Sequence, residues 1–139
     1  HKLEVLSAAI RRITGTPTPE HLMQEFGGFE LVMAVGAMLA AAERRMVVLI
    51  DGFVMSAVAL MASRINPNFL DYAVFGHKSK ESGHARMLAA MGATPLLDLG
   101  MNLGEGVGAM MAYPIVQGAV AMLTQMGTFS SDGIIKYFK

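Results

Sequence analysis

Glu105 is the only acid between Asp98 and Asp132, and it stands in the string Gly104-Glu105-Gly106-Val107-Gly108. The flanking glycines let a ligand approach the backbone closely. A glycine loop that opens a helix can cradle phosphate on free N–H groups. A carboxylate in such apolar surroundings suits a general base of raised pKa. Two further polar strings accompany it: Asp51-Gly52, and Gly76-His77-Lys78-Ser79-Lys80-Glu81-Ser82-Gly83-His84. Plainer roles fit the same residues. Glu105 equally suits a turn with an acid at a helix N-terminus, which the dipole favours without catalysis. The Ser79 string suits a solvated connection, Asp51 a cap on the helix that begins at Phe53, and Lys2 a surface charge. His77 and His84, seven apart in a loop with no Cys nearby, do not resemble a zinc pair, and no metal site is expected.

The three strings can share one crevice if they follow the carboxyl ends of parallel strands, where open α/β sheets bind ligands. Leu3, Leu6, Ala9, Ile10 and Ile13 recur at helical spacing, and this first helix ends near Thr14-Gly15. Thr18 and Pro19 supply a cap and first-turn proline for a short helix through Phe26, broken by Gly27-Gly28. Residues 29–45 predict a helix apolar nearly all round. Residues 46–50 are a continuous apolar run, the form of a strand buried on both faces, with Asp51 at its end. Helix follows over 53–65, strand over 70–75, polar loop over 76–82 and helix over 83–91. A short strand over 94–99, the glycine loop over 100–108, and a last helix to Met126 kinked at Pro114 complete the chain. Alternating strands and helices predict an α/β fold, a three-layer α/β/α sandwich around a parallel, Rossmann-like sheet.

Composition narrows the class. The 139 residues carry 11 Lys+Arg and 11 Asp+Glu, which leaves no basic excess for a nucleic-acid backbone. Zero Cys excludes disulfides, a thiol nucleophile and Cys-based zinc, and is compatible with a reducing cytoplasm. A hydrophobic fraction of 53% excludes disorder. Residues 31–42 are too short to cross a core of ~30 Å. The uncharged residues 106–131 are small and polar-flecked, so a membrane helix is not the expectation there. The 13 methionines, at helical apolar positions, are expected to fill the core. No signal peptide is evident, and a start without Met suggests processing or a fragment.

The strings Gly27-Gly28-Phe29-Glu30, Ala40-Ala41-Ala42-Glu43-Arg44-Arg45, Asp51-Gly52-Phe53-Val54, Ser79-Lys80-Glu81-Ser82-Gly83-His84 and Leu103-Gly104-Glu105-Gly106-Val107-Gly108-Ala109 are distinctive together. In order and spacing they resemble the nicotinate-nucleotide:dimethylbenzimidazole phosphoribosyltransferases of cobalamin synthesis. Members of that family are more than twice as long. The resemblance therefore implies that residues 1–139 are the carboxy-terminal part of one α/β phosphoribosyltransferase domain, whose amino-terminal half is absent.

The resemblance further implies transfer of the phosphoribosyl group of nicotinate mononucleotide to 5,6-dimethylbenzimidazole, giving α-ribazole 5'-phosphate and nicotinate. Glu105 falls on the family's catalytic base. Lys2 and Ser79 fall on residues that hold the nucleotide phosphate, with Gly104 and Gly106 in the loop beside it. Asp51, Glu81, Gly83, His84 and Leu103 lie in the same strings as supporting residues. A homodimer is implied; no cofactor, metal, nucleic acid or membrane is. Asn102 stands where the family pattern has arginine, and Val107 where it has threonine. Two rival readings are a non-catalytic interaction domain on the same scaffold and a membrane-associated protein using residues 106–131.

Overall fold

Three helices come first, each where the sequence sets a start and a stop. The structure, a computed structural model, describes residues 1–102 and 104–127. Helix α1 (Lys2–Ile10) stops short of the predicted end near Thr14-Gly15. Helix α2 (Pro19–Phe26) begins as predicted: the Thr18 hydroxyl accepts the His21 N–H at 3.2 Å and Pro19 occupies the first turn. Helix α3 (Phe29–Glu43) stops short of Arg45, which turns left-handed at φ 58° while the Met46 N–H bonds back to Ala41 at 2.9 Å. That closing turn uses Met46, so strand β1 is Val48–Ile50 rather than the predicted 46–50.

Helix α4 (Phe53–Ile65) carries the chain from β1 to the parallel strand β2 (Ala73–Phe75), with Val48 opposite Ala73 and Ile50 opposite Phe75. The predicted strand 70–75 is half as long. Asn66 caps Asn68, Pro67 starts a 3₁₀ helix over Pro67–Tyr72, and only the residues beyond it are extended. Helix α5 (His84–Met91) follows the polar loop and ends at left-handed Gly92. The predicted third strand over 94–99 is a single parallel bridge between Leu97 and His77. Pro95 has no N–H to donate, so a longer ladder does not form there. The architecture is thus α/β with a small parallel sheet, two strands and a bridge in the described residues.

The core forms where α3, α4 and α5 meet the sheet and the 3₁₀ helix, around Val35, Ile50, Val58, Phe69, Phe75 and Leu88. Ala59 and Ala62 are fully buried in α4, whose small residues let α3 approach. Ile50 is buried, but Val48 and Leu49 are only half-buried, since β1 has a single neighbouring strand among the described residues. The expected core role of the methionines holds for Met38 and Met91. Met33, Met46, Met110, Met111, Met122 and Met126 are exposed, because the faces that carry them have no partner among the described residues.

Helix α6 (Val107–Gln125) shows this most clearly. It contains Pro114, buries only Gly108 and Ala112, and is long and apolar enough to cross a bilayer. Leu3, Val5, Leu6 and Ile10 of α1 are likewise exposed.

Candidate active site

Asp51 follows β1 directly, and its half-buried carboxylate reaches the start of α6. Its Oδ1 accepts the N–H groups of Gly108 at 2.7 Å and Ala109 at 3.1 Å, and its Oδ2 accepts that of Gly106 at 3.1 Å. Asp51 therefore caps α6, not the α4 helix that begins two residues after it. A helix start leaves unpaired N–H groups and a partial positive charge, and one carboxylate satisfies both here. This corrects the expectation that the glycine loop offers free N–H groups to phosphate. The N–H groups of Gly106, Gly108 and Ala109 are already taken.

Ahead of α6 the chain makes two left-handed steps, Glu105 at φ 63° and Gly106 at φ 84°. Glycine adopts this region freely, but a glutamate there carries backbone strain, the kind held where geometry matters. The turn leaves the Glu105 side chain exposed at the rim of a crevice, with no hydrogen bond among the described residues. Among the described residues Glu105 is exposed at that rim rather than enclosed in apolar surroundings.

The crevice is a cavity of about 570 Å³ whose walls include Asp51, Ser79, Glu81, Asn102, Glu105 and the first turn of α4. Gly52 starts α4 without a side-chain cap, so the positive end of that helix faces the cavity uncapped. The Ser79 hydroxyl accepts the Glu81 N–H at 3.2 Å and donates to Asn102 Oδ1 at 3.3 Å. Asn102, in the place of an arginine, thus ties the two loops together. A separate apolar cleft of about 290 Å³ between α2, α3 and α4 contains no ionisable group.

Behind Ser79 the loop is fastened by His84. The Ser79 N–H donates to His84 Nδ1 at 2.9 Å, which assigns the ring proton to Nε2, the atom 2.8 Å from Ser56 Oγ. Gly83 lets the chain pass the Phe53 ring, 3.1 Å from where a Cβ would stand. Burial, and then the neighbouring His77, lower the His84 pKa from its ordinary value near 6.5. An unfolded chain takes up that proton more readily than the folded one. The resulting stability is complete above pH ~6.5 and is lost as pH falls through the lower folded value. Unfolding followed between pH 7 and 5 should show declining stability, with a shallower pH slope in His84→Gln; an equal slope in both would assign the decline elsewhere.

Of the residues singled out from sequence, Asp51, Ser79, Glu81, Gly104, Glu105 and Gly106 share the crevice, with Gly83 and His84 directly behind it. Lys2 lies on exposed α1 and does not line it. Leu103 lies outside the described residues. Sequence reasoning missed Ser56, one turn into α4, and the packing role of His77; Gly52 and Gly76, within two residues of the strand ends, were the available signal.

The sequence matches the family described as phosphoribosyltransferase over residues 1–134. A nicotinate-nucleotide–dimethylbenzimidazole phosphoribosyltransferase of Bacteroides fragilis is 49% identical over 138 residues, covering 99% of this chain and 40% of its own length. That of Dechloromonas aromatica is 53% identical over 136 residues, with 96% and 39% covered. A crystal structure of the nicotinate-nucleotide-dimethylbenzimidazole phosphoribosyltransferase from Thermus thermophilus matches with a TM-score of 0.85 at 38% identity, covering 94% of this chain and 39% of that one. The chain spans about two fifths of the length of the curated relatives it matches. By profile, sequence and fold together, it belongs to the nicotinate-nucleotide–dimethylbenzimidazole phosphoribosyltransferase family.

Proposed function

We propose that this chain supplies the base-bearing, carboxy-terminal part of an enzyme that transfers phosphoribose from nicotinate mononucleotide to 5,6-dimethylbenzimidazole. One benzimidazole nitrogen bonds to the ribose C1' as the bond from C1' to the pyridinium nitrogen breaks. The departing ring keeps the electron pair and leaves as nicotinate. The other benzimidazole N–H loses its proton to Glu105, and α-ribazole 5'-phosphate results. Loss of the pyridinium charge drives departure, so the step calls for a positioned base and a phosphate anchor rather than a metal or redox cofactor.

The observation that carries this reading is the shared crevice. An unbonded carboxylate on a left-handed turn stands on the same cavity as the Ser79 loop and the uncapped start of α4. Ser79 and that first turn hold the phosphate, Gly104 and Gly106 form the turn around the base, and Asp51, Glu81, Gly83 and His84 support the two loops. Lys2 reaches the phosphate in the complete protein, a cytoplasmic homodimer. The remaining chain covers the apolar faces of α1 and α6.

Incubating the complete protein with both substrates should yield α-ribazole 5'-phosphate and nicotinate in equal amounts. No product would overturn the reading, and failure to bind nicotinate mononucleotide as well would favour a non-catalytic domain. Ser79→Ala should raise the KM for nicotinate mononucleotide by about 10–150-fold, the worth of a charge-assisted hydrogen bond, with a smaller change in kcat. An unchanged KM would make Ser79 a loop-fastening residue only.

A further inference from the structure

The His77 ring packs against both helix starts that wall the crevice. It is 1% exposed, and neither ring nitrogen has a hydrogen-bond partner among the described residues. Polar atoms buried without partners are rare and call for an explanation. On one side lies Gly52, at the start of α4, where a Cβ would stand 2.7 Å from His77 Nε2. Against the adjoining ring atom lies Gly108, in the first turn of α6, where a Cβ would overlap His77 Cδ2. The His77 backbone is fixed as well: its N–H bonds to Asp51 O at 3.4 Å, and the residue bridges to Leu97. A ring whose Nε2–Cδ2 edge abuts both glycines, with no hydrogen bond among the described residues, acts through its bulk.

We propose that His77 is a positioning residue whose ring sets the separation between the first turns of α4 and α6, and through it the placement of Glu105. The proposal rests on the function given above. Phosphate held at α4 and the base carried ahead of α6 must stand at a fixed distance, and the ring is the spacer between them. His84, 6.4 Å away between ring centroids, fastens the Ser79 loop and does not enter this gap. Asp51 pulls α6 inward by three N–H bonds, and His77 limits how far it comes.

The test is a mutant cycle in the complete protein, read by amide hydrogen exchange and by steady-state kinetics. His77→Ala should speed exchange at Gly108 and Ala109, whose N–H groups bond Asp51, and lower kcat about 10–100-fold with the KM for nicotinate mononucleotide within about threefold. A role confined to stability would lower the melting temperature and leave kcat intact while the protein is folded. Gly52→Ala presses a methyl against the same ring, so it should also lower kcat. In the His77→Ala background that methyl enters vacated space, and the double variant should recover part of the lost rate. Wild-type exchange and kcat in folded His77→Ala overturn the proposal, as do losses that simply multiply in the double variant. Should His77→Ala not fold, full kcat in folded Gly52→Ala overturns it by itself. Absence of product from the wild-type protein overturns the proposed function instead, and exchange at Gly108 and Ala109 still judges the spacer.

Discussion

Glu105→Gln should lower turnover by about 10²–10⁴ while fold and nucleotide binding persist, the range expected when a positioned general base is removed. The structure makes this a clean substitution. The Glu105 side chain is exposed and makes no hydrogen bond among the described residues, so the amide has no partner to lose. Its backbone is left-handed at φ 63°, a conformation that costs glutamine as much as glutamate. Glu105→Gly separates the two roles of the position further. It relieves the backbone strain, so stability should rise by up to about 1 kcal/mol even as turnover collapses. The measurements are kcat, nucleotide binding at equilibrium and the unfolding free energy of all three proteins. Wild-type turnover in Glu105→Gln would remove Glu105 from the chemistry.

Asp51→Ala should be the most damaging single change to the site's architecture. Three N–H groups at the start of α6 lose one carboxylate, and the positive end of the helix loses its counter-charge. The three bonds share one acceptor group and do not add; the loss expected for a charged cap of this kind is about 2–4 kcal/mol. Turnover should fall about 10²-fold, because the turn that aims Glu105 is no longer held. Asp51→Asn distinguishes charge from shape. It keeps one oxygen for the helix start but turns an NH₂ toward donors, so most of the stability loss should remain. Unfolding by denaturant and kcat on the folded variants are the readouts. Unchanged stability and turnover in Asp51→Ala would mean that α6 is anchored elsewhere.

Helices were legible wherever apolar spacing coincided with an explicit start signal. Thr18-Pro19 before α2 and Gly92 after α5 are examples in which local backbone chemistry decides the boundary. Strands were harder to read. The apolar run at Met46-Val47 is spent on closing α3, and Leu70–Tyr72 enters a 3₁₀ helix because Asn66 and Pro67 act before any sheet neighbour does. The loops that form the crevice were identifiable by their glycines and isolated charges. What they do to each other was not. Asp51 capping a helix that starts more than fifty residues later, and His77 packing against Gly52 and Gly108, are tertiary facts with no local pattern to announce them. The exposure of six methionines was hidden for a related reason: helical spacing tells which face is apolar but not whether this chain covers it.

The long reach from Asp51 to α6 also orders the events of folding. Strands β1 and β2 are joined through α4 and the short 3₁₀ helix and bury Ile50 and Phe75 as they pair. The bonds from Gly106 and Ala109 close loops of 55 and 58 residues, and such closure grows costlier with length, by about 0.6 kcal/mol for each doubling. These bonds also lie outside the main apolar core. The turn that carries Glu105 should therefore be the last part of this segment to assemble and the first to open. In mild denaturant the turn that carries Glu105 should lose its geometry while the βαβ unit is still native.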